Sequence, residues 1–174
     1  SSSANHIFDI TLGYSSQSQF SASSNAQNAK KCNIYSQMAQ VLMGYDANGS
    51  ILRFDADGNI ADGGTKHDDV FFLNFARLLS KDEVKKGTFK LELGTGGTYA
   101  QNGTVFADRI LLEDSSGSNG FLVNSPAGEY GVLYITGSTH RYEILANTSA
   151  TNKDPVGLLF YQAGVAVLTS SVRS

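Results

Sequence analysis

No regular stretch of this chain runs far before turn residues cut it. Gly, Ser, Asn and Thr make up 62 of 174 residues, and Asn48-Gly49, Asp57-Gly58, Asp62-Gly63 and Gly96-Gly97 follow in close succession. Gly and Asn accept the positive-φ positions of tight turns, and Asn and Ser side chains close turns on their own main chain. Such punctuation selects short elements and argues against a bundle of long helices. At 41% hydrophobic residues the chain is not disordered. A chain of this size buries about 70% of its unfolded surface, enough for one core, so residues 1–174 are expected to form a single domain.

Between the turns the pattern is that of strands. Ile7–Tyr14 is β-branched and aromatic, and in Thr88–Leu93 the residues Phe89, Leu91 and Leu93 alternate with Lys90 and Glu92. Residues 68–79 are the most apolar stretch and read as a central strand, with a helix the other reading of so short a run. Further strands are expected at 105–113, 120–124, 130–136, 141–145, 156–161 and 163–170, with turns at Ser116-Gly117, Pro126–Gly128, Gly137-Ser138 and Asp154-Pro155. Two related units, Tyr45–Ile51 and Phe54–Ile60, each carry Asp-Ala and then Asn-Gly or Asp-Gly, and bracket a short strand at 50–54. The expected fold is mainly β, an antiparallel sandwich or barrel-like domain.

One segment changes period. Ile34, Met38, Val41 and Leu42 repeat at i, i+4, i+7 and i+8, which predicts a helix over 27–43 with Asn25 or Asn28 at its start and Gly44 just past its end. Cys32 and Met38 read as packing residues. Ser80-Lys81-Asp82-Glu83 has capping-box spacing and predicts a short helical turn near 80–86. The polar stretch 15–28 reads as a loop or arm, and with the loop 114–119 it is the candidate for docking against neighbouring subunits.

Composition excludes several functions. The net charge is −3 with dispersed basic residues, so no nucleic-acid partner is expected. No apolar run reaches the roughly 18–20 residues that span a bilayer, and Ser1–Asn5 shows neither the basic nor the apolar region of a signal peptide, so no membrane partner is expected. One Cys makes no internal disulfide. The chain stops at Ser171–Ser174 without an obvious ending, as one piece of a longer polypeptide would.

No constellation points to catalysis. Asp55, Asp57, Asn59 and Asp62 resemble a calcium loop, but setting Gly58 at its sixth position puts Arg53 first and Gly64 twelfth, where ligands belong. A weak turn-type metal site is the most they allow. Gly94–Gly97 lacks the Gly-Lys-Ser/Thr of a phosphate loop. His6, His67 and His140 are scattered; His67-Asp68-Asp69 could fix a tautomer, but no Gly-x-Ser-x-Gly elbow accompanies it. Glu92, Glu113, Glu129 and Glu143 read as solvated strand positions. Catalytic, cofactor-binding and metal-ligating residues are therefore all expected to be none, and the protein is expected not to be an enzyme. Tyr99, Tyr130, Tyr134, Tyr142 and Tyr161 lie on or near strands and could serve an interface.

Residues 31–46, Lys31-Cys32-Asn33-Ile34-Tyr35-Ser36-Gln37-Met38 and on to Asp46, resemble a segment of uncharacterised virion structural proteins of tailed, myovirus-like phages of the cyanophage type. Phe71–Arg77 with Lys81–Phe89, and Asp154–Leu168, are similar to blocks of the same proteins. The resemblance carries no catalytic signature. It implies a structural component of the virion, in tail, baseplate, fibre attachment, neck or capsid decoration, whose partners are further copies of itself and other virion proteins. The alternative is a host-surface adhesin or carbohydrate-binding module whose exposed Tyr residues meet glycans.

Overall fold

The alternating segments become strands, and seven of them join one sheet. The structure, a computed structural model, describes residues 7–22, 25–59, 63–95, 108–114, 121–136 and 155–170. Its strands are β1 Asp9–Tyr14, β2 Phe54–Asp55, β3 Lys66–His67, β4 Asp69–Asn74, β5 Lys90–Thr95, β6 Asp108–Glu113, β7 Tyr130–Thr136, β8 Pro155–Phe160 and β9 Val165–Thr169. A 3₁₀ turn at Gln19–Ala22 precedes helix α1, Ala26–Leu42, and a single helical turn, α2, spans Ala76–Leu79. The large sheet runs β1-β4-β9-β8-β7-β6-β5, antiparallel at every pairing, while β2 and β3 form a separate ribbon. Strands β5 to β9 are a meander; β4 docks on the outer side of β9 and β1 on the outer side of β4. The mainly β, antiparallel expectation holds.

Two cores lie on opposite faces of the sheet. On one face α1 buries Tyr35, Ala39 and Leu42 against Phe72, Val132, Leu158, Phe160 and Val167, with Phe54 of the ribbon between them. On the other the sheet curls on itself, and Leu73, Leu112, Leu133, Ile135, Leu159 and Leu168 fill the hollow. The curl brings Phe75, just after β4, to stack on Phe89, just before β5, with ring centroids 5.7 Å apart, although four strands separate β4 from β5 in the sheet. Strands β8 and β9, covered on both sides, are nearly uniform apolar runs.

The helix shows how local chemistry sets an element. The Asn25 side chain caps its start by accepting from Gln27 N, 2.9 Å, and Gly44 closes its end at φ +81, donating to Ala39 O. Its buried face is rotated from the expected one: Tyr35, Ala39 and Leu42 are fully buried, Ile34 and Met38 only partly, and Val41 is exposed. Tyr35 can take the centre because its hydroxyl donates to His67 O, 2.8 Å, and accepts from Phe54 N, 3.2 Å.

The helical turn expected near 80–86 is displaced. It forms at Ala76–Leu79, where the Asn74 side chain accepts from Ala76 N, and Ser80 at φ 51 ends it. Residues 82–85 are not helical; Val84 N instead donates to Tyr161 O. The apolar run 68–79 thus divides into strand and helical turn. The strand expected at 50–54 is reduced to an isolated bridge from Ile51 to Tyr45, because Phe54 and Asp55 pair with His67 and Lys66. Likewise, of the strand expected at 120–124, the described residues 121–124 contribute only the bridge from Leu122 to Tyr130. The strand expected at 141–145 lies outside the described residues.

Candidate functional site

Among the described residues the sheet has two edges of different character. At β5 the edge carries Lys90, which pairs with Glu113 at 2.8 Å, and Glu92; charged side chains blunt an edge against further strands. At β1 the edge is apolar. Ser15 N donates to Asp68 O, 2.7 Å, which sets the phase of the ladder: residues 9, 11 and 13 bond towards β4, and the main chain of Phe8, Ile10, Leu12 and Tyr14 points outward. Among the described residues no main-chain partner meets it. Those four side chains share one face of the strand, and Phe8 and Ile10 are exposed, as is Ile7 on the opposite face. Beside them, a cleft of about 310 Å³ opens between β1 and α1, lined by Ile10, Thr11, Ile34, Met38 and Phe72.

Glycine and serine hold this edge in place. A Cβ on Gly13 would come within 3.2 Å of the Tyr35 main chain and 2.7 Å of the Phe72 ring, so only Gly lets α1 sit this close to β1. Ser15 and Ser18 are buried; Ser15 Oγ donates to Asp68, 2.5 Å, and Ser18 Oγ donates to Asp69. Asp68 also takes Arg53, 2.9 Å. The Tyr14 and Phe20 rings meet at 5.2 Å. Ser15 and Ser18 therefore tie the start of the polar stretch to Asp68 and to Asp69 of β4, Gln19–Ala22 forms the 3₁₀ turn with Phe20 exposed, and 26–28 belong to α1. Of the second docking candidate, 114–119, only Asp114 is described; it is buried, accepting from Tyr161 Oη, 2.7 Å, and from Gly87 N, 2.9 Å.

The residues tested for chemistry are dispersed. His67 is buried with no hydrogen bond to Nε2 among the described residues, and burial pushes its pKa down to about 4, against a smaller upward pull from Asp68. It does not bond Asp68, whose carboxylate serves Ser15 and Arg53. Asp55 is buried and paired with Lys66, and its other oxygen, like that of Asp57, accepts a turn N–H. Among the described residues no three His, Cys, Asp or Glu side chains are placed to hold one metal ion. Glu129 pairs with Lys86, whose ammonium lies 4.1 Å from the centre of the Phe121 ring. Cys32 is half-buried on α1.

Tyr130 and Tyr161 are fully buried, and Tyr134 is half-buried. Burial, then the Asp55 charge, pushes the Tyr130 hydroxyl up to about 12; it lies 2.5 Å from Asn124 Oδ1 and 3.2 Å from Gly58 O. Tyr161 is raised further by burial and its bond to Asp114. His6, Asp62, Gly96, Gly97, Tyr99, His140, Tyr142 and Glu143 lie outside the described residues.

No family model, no curated protein and no solved structure matches the chain. The apolar edge was not among the expected docking segments. The strand Ile7–Tyr14 is visible in the sequence, but whether a strand ends up central or at an edge depends on the order of the whole sheet. The one local hint is that Phe8, Ile10, Leu12 and Tyr14 form an apolar face with a single charge, Asp9, opposite.

Proposed function

We propose that this protein is a non-enzymatic structural component of a tailed-phage particle that works through subunit–subunit contacts. The observation that carries the reading is the edge at β1, with outward main chain and exposed Phe8 and Ile10. A strand edge of this kind is completed by a neighbour's strand, which gives affinity through main-chain bonds and specificity through alternate side chains. Repetition around a symmetric particle multiplies modest contacts. The resemblance of residues 31–46, 71–77 with 81–89, and 154–168 to virion proteins supports the same reading. The adhesin alternative needs exposed aromatic platforms. Of the Tyr residues named for it, Tyr130 and Tyr161 are withdrawn into the cores, Tyr134 is half-buried, and Tyr99 and Tyr142 lie outside the described residues, while Tyr45 is exposed.

Peptide mass spectrometry on gradient-purified particles tests this reading. The chain is expected at a copy number comparable with the other virion proteins and retained through a high-salt wash. Its absence from the particle, or turnover of a substrate by the isolated monomer, overturns it.

A further inference from the structure

We propose that the partner at the β1 edge is β1 of a second copy of this chain, paired antiparallel about a two-fold axis at Thr11, so that the two seven-stranded sheets become one. The inference rests on the assembly reading above and names its partner.

The register follows from the ladder. Outward-facing main chain belongs to the even-numbered residues, so these must meet each other across the axis. Centring on Thr11 pairs Phe8 with the copy's Tyr14 and Ile10 with its Leu12, and each pair exchanges main-chain hydrogen bonds. Aromatic meets aromatic, aliphatic meets aliphatic, and Thr11 faces its own copy, a favourable cross-strand set. The charges are compatible as well. Asp9 falls opposite the copy's Gly13, and the two Asp9 residues stand four positions apart along the strands, about 14 Å, beyond the screening length of about 8 Å.

The area suffices. Ile7, Phe8, Ile10 and Phe20 are 54, 45, 60 and 56% exposed. They offer roughly 400 Å² of apolar surface, which with strand main chain and flanking polar atoms approaches the ~800 Å² per partner of a standard interface. The pairing lays both α1 helices on one face of the joined sheet and lets each copy border the other's cleft beside Ile34 and Met38. The β5 edge, with Lys90 and Glu92, offers no such match.

The test uses the full chain of 18.6 kDa. Sedimentation equilibrium at micromolar concentration is expected to give twice that mass, and Ile10→Lys is expected to halve it with unchanged circular dichroism, since Ile10 is exposed. In a Cys32→Ser background, Thr11→Cys is expected to form a disulfide-linked dimer on mild oxidation, because facing residues of a non-hydrogen-bonded pair sit about 4.5 Å apart at Cα, within disulfide reach. Asp9→Cys in the same background is the control expected to stay uncrosslinked. A monomer up to ~100 μM, or a dimer indifferent to Ile10→Lys and without the Thr11 crosslink, overturns the pairing. If the chain is then still found in purified particles, the assembly reading survives and only the second copy as partner is lost; absence from particles removes both.

Discussion

His67 is the residue where burial and titration meet most directly. The residue belongs to β3 of the ribbon, paired with Phe54, and its neutral ring is buried there, with Tyr35 bonded to its carbonyl and Asp68 beside it. The folded-state pKa, about 4, lies below the unfolded value of about 6.5. Between these pH values the unfolded chain holds more protons, so the stability associated with His67 is full above pH 6.5 and is lost as pH falls towards 4. The loss amounts to ~3 kcal/mol at the acid end. His67→Leu removes the titrating group while keeping an apolar side chain. Urea unfolding at pH 7, 5.5 and 4.5 is expected to show the wild type losing more stability than the variant over that range. Parallel pH profiles for the two proteins would mean that His67 is solvated in the folded state.

At the scale of elements, the contact between α1 and β1 is set by a missing side chain. Gly13 lies under Tyr35 and beside Phe72, and the space it leaves is what brings the helix onto the edge of the sheet. Gly13→Ala is expected to cost ~1–3 kcal/mol through overpacking, and to expose Tyr35 to solvent. Tyrosine fluorescence and thermal unfolding would both register the change; an unaltered melting temperature would show that the helix yields freely. The same contact explains what could be read beforehand. The helix, its Asn25 cap and its Gly44 stop are local chemistry and stand in the sequence. The strands β5 and β7 are likewise legible from alternation and bounding turns. The face of α1 is not, because Tyr35 becomes a core residue only through partners at His67 and Phe54, which are distant in sequence. The helical turn at Ala76–Leu79 escaped for a related reason: Phe75 N bonds Gly164 O, so the end of β4 is fixed by the β8–β9 turn and not by the Ser80 capping pattern. The edge at β1 is a property of strand order, which no local pattern encodes.

At the scale of the molecule, the sheet acts as a wall between two cores that share no side chains. Leu158 belongs to the α1 core, while Leu112 and its direct cross-strand partner Ile135 belong to the curled hollow. Strands β8 and β6 have β7 between them, so Leu158 and Leu112 are separated by two strand spacings, about 9–10 Å, as well as by the sheet itself. Substitutions that far apart without common partners add to within ~0.5 kcal/mol, whereas touching residues couple more strongly. Valine truncations, each costing ~1 kcal/mol, are mild enough for double variants to remain folded when total stability is ~5–15 kcal/mol. Leu112→Val with Leu158→Val is therefore expected to be additive in equilibrium urea unfolding. Leu112→Val with Ile135→Val is expected to depart from additivity, because one side chain relaxes into the space left by the other. Coupling across the sheet as large as coupling along it would mean that the two faces yield together, and the rigid wall on which an assembly edge at β1 depends would have to be abandoned.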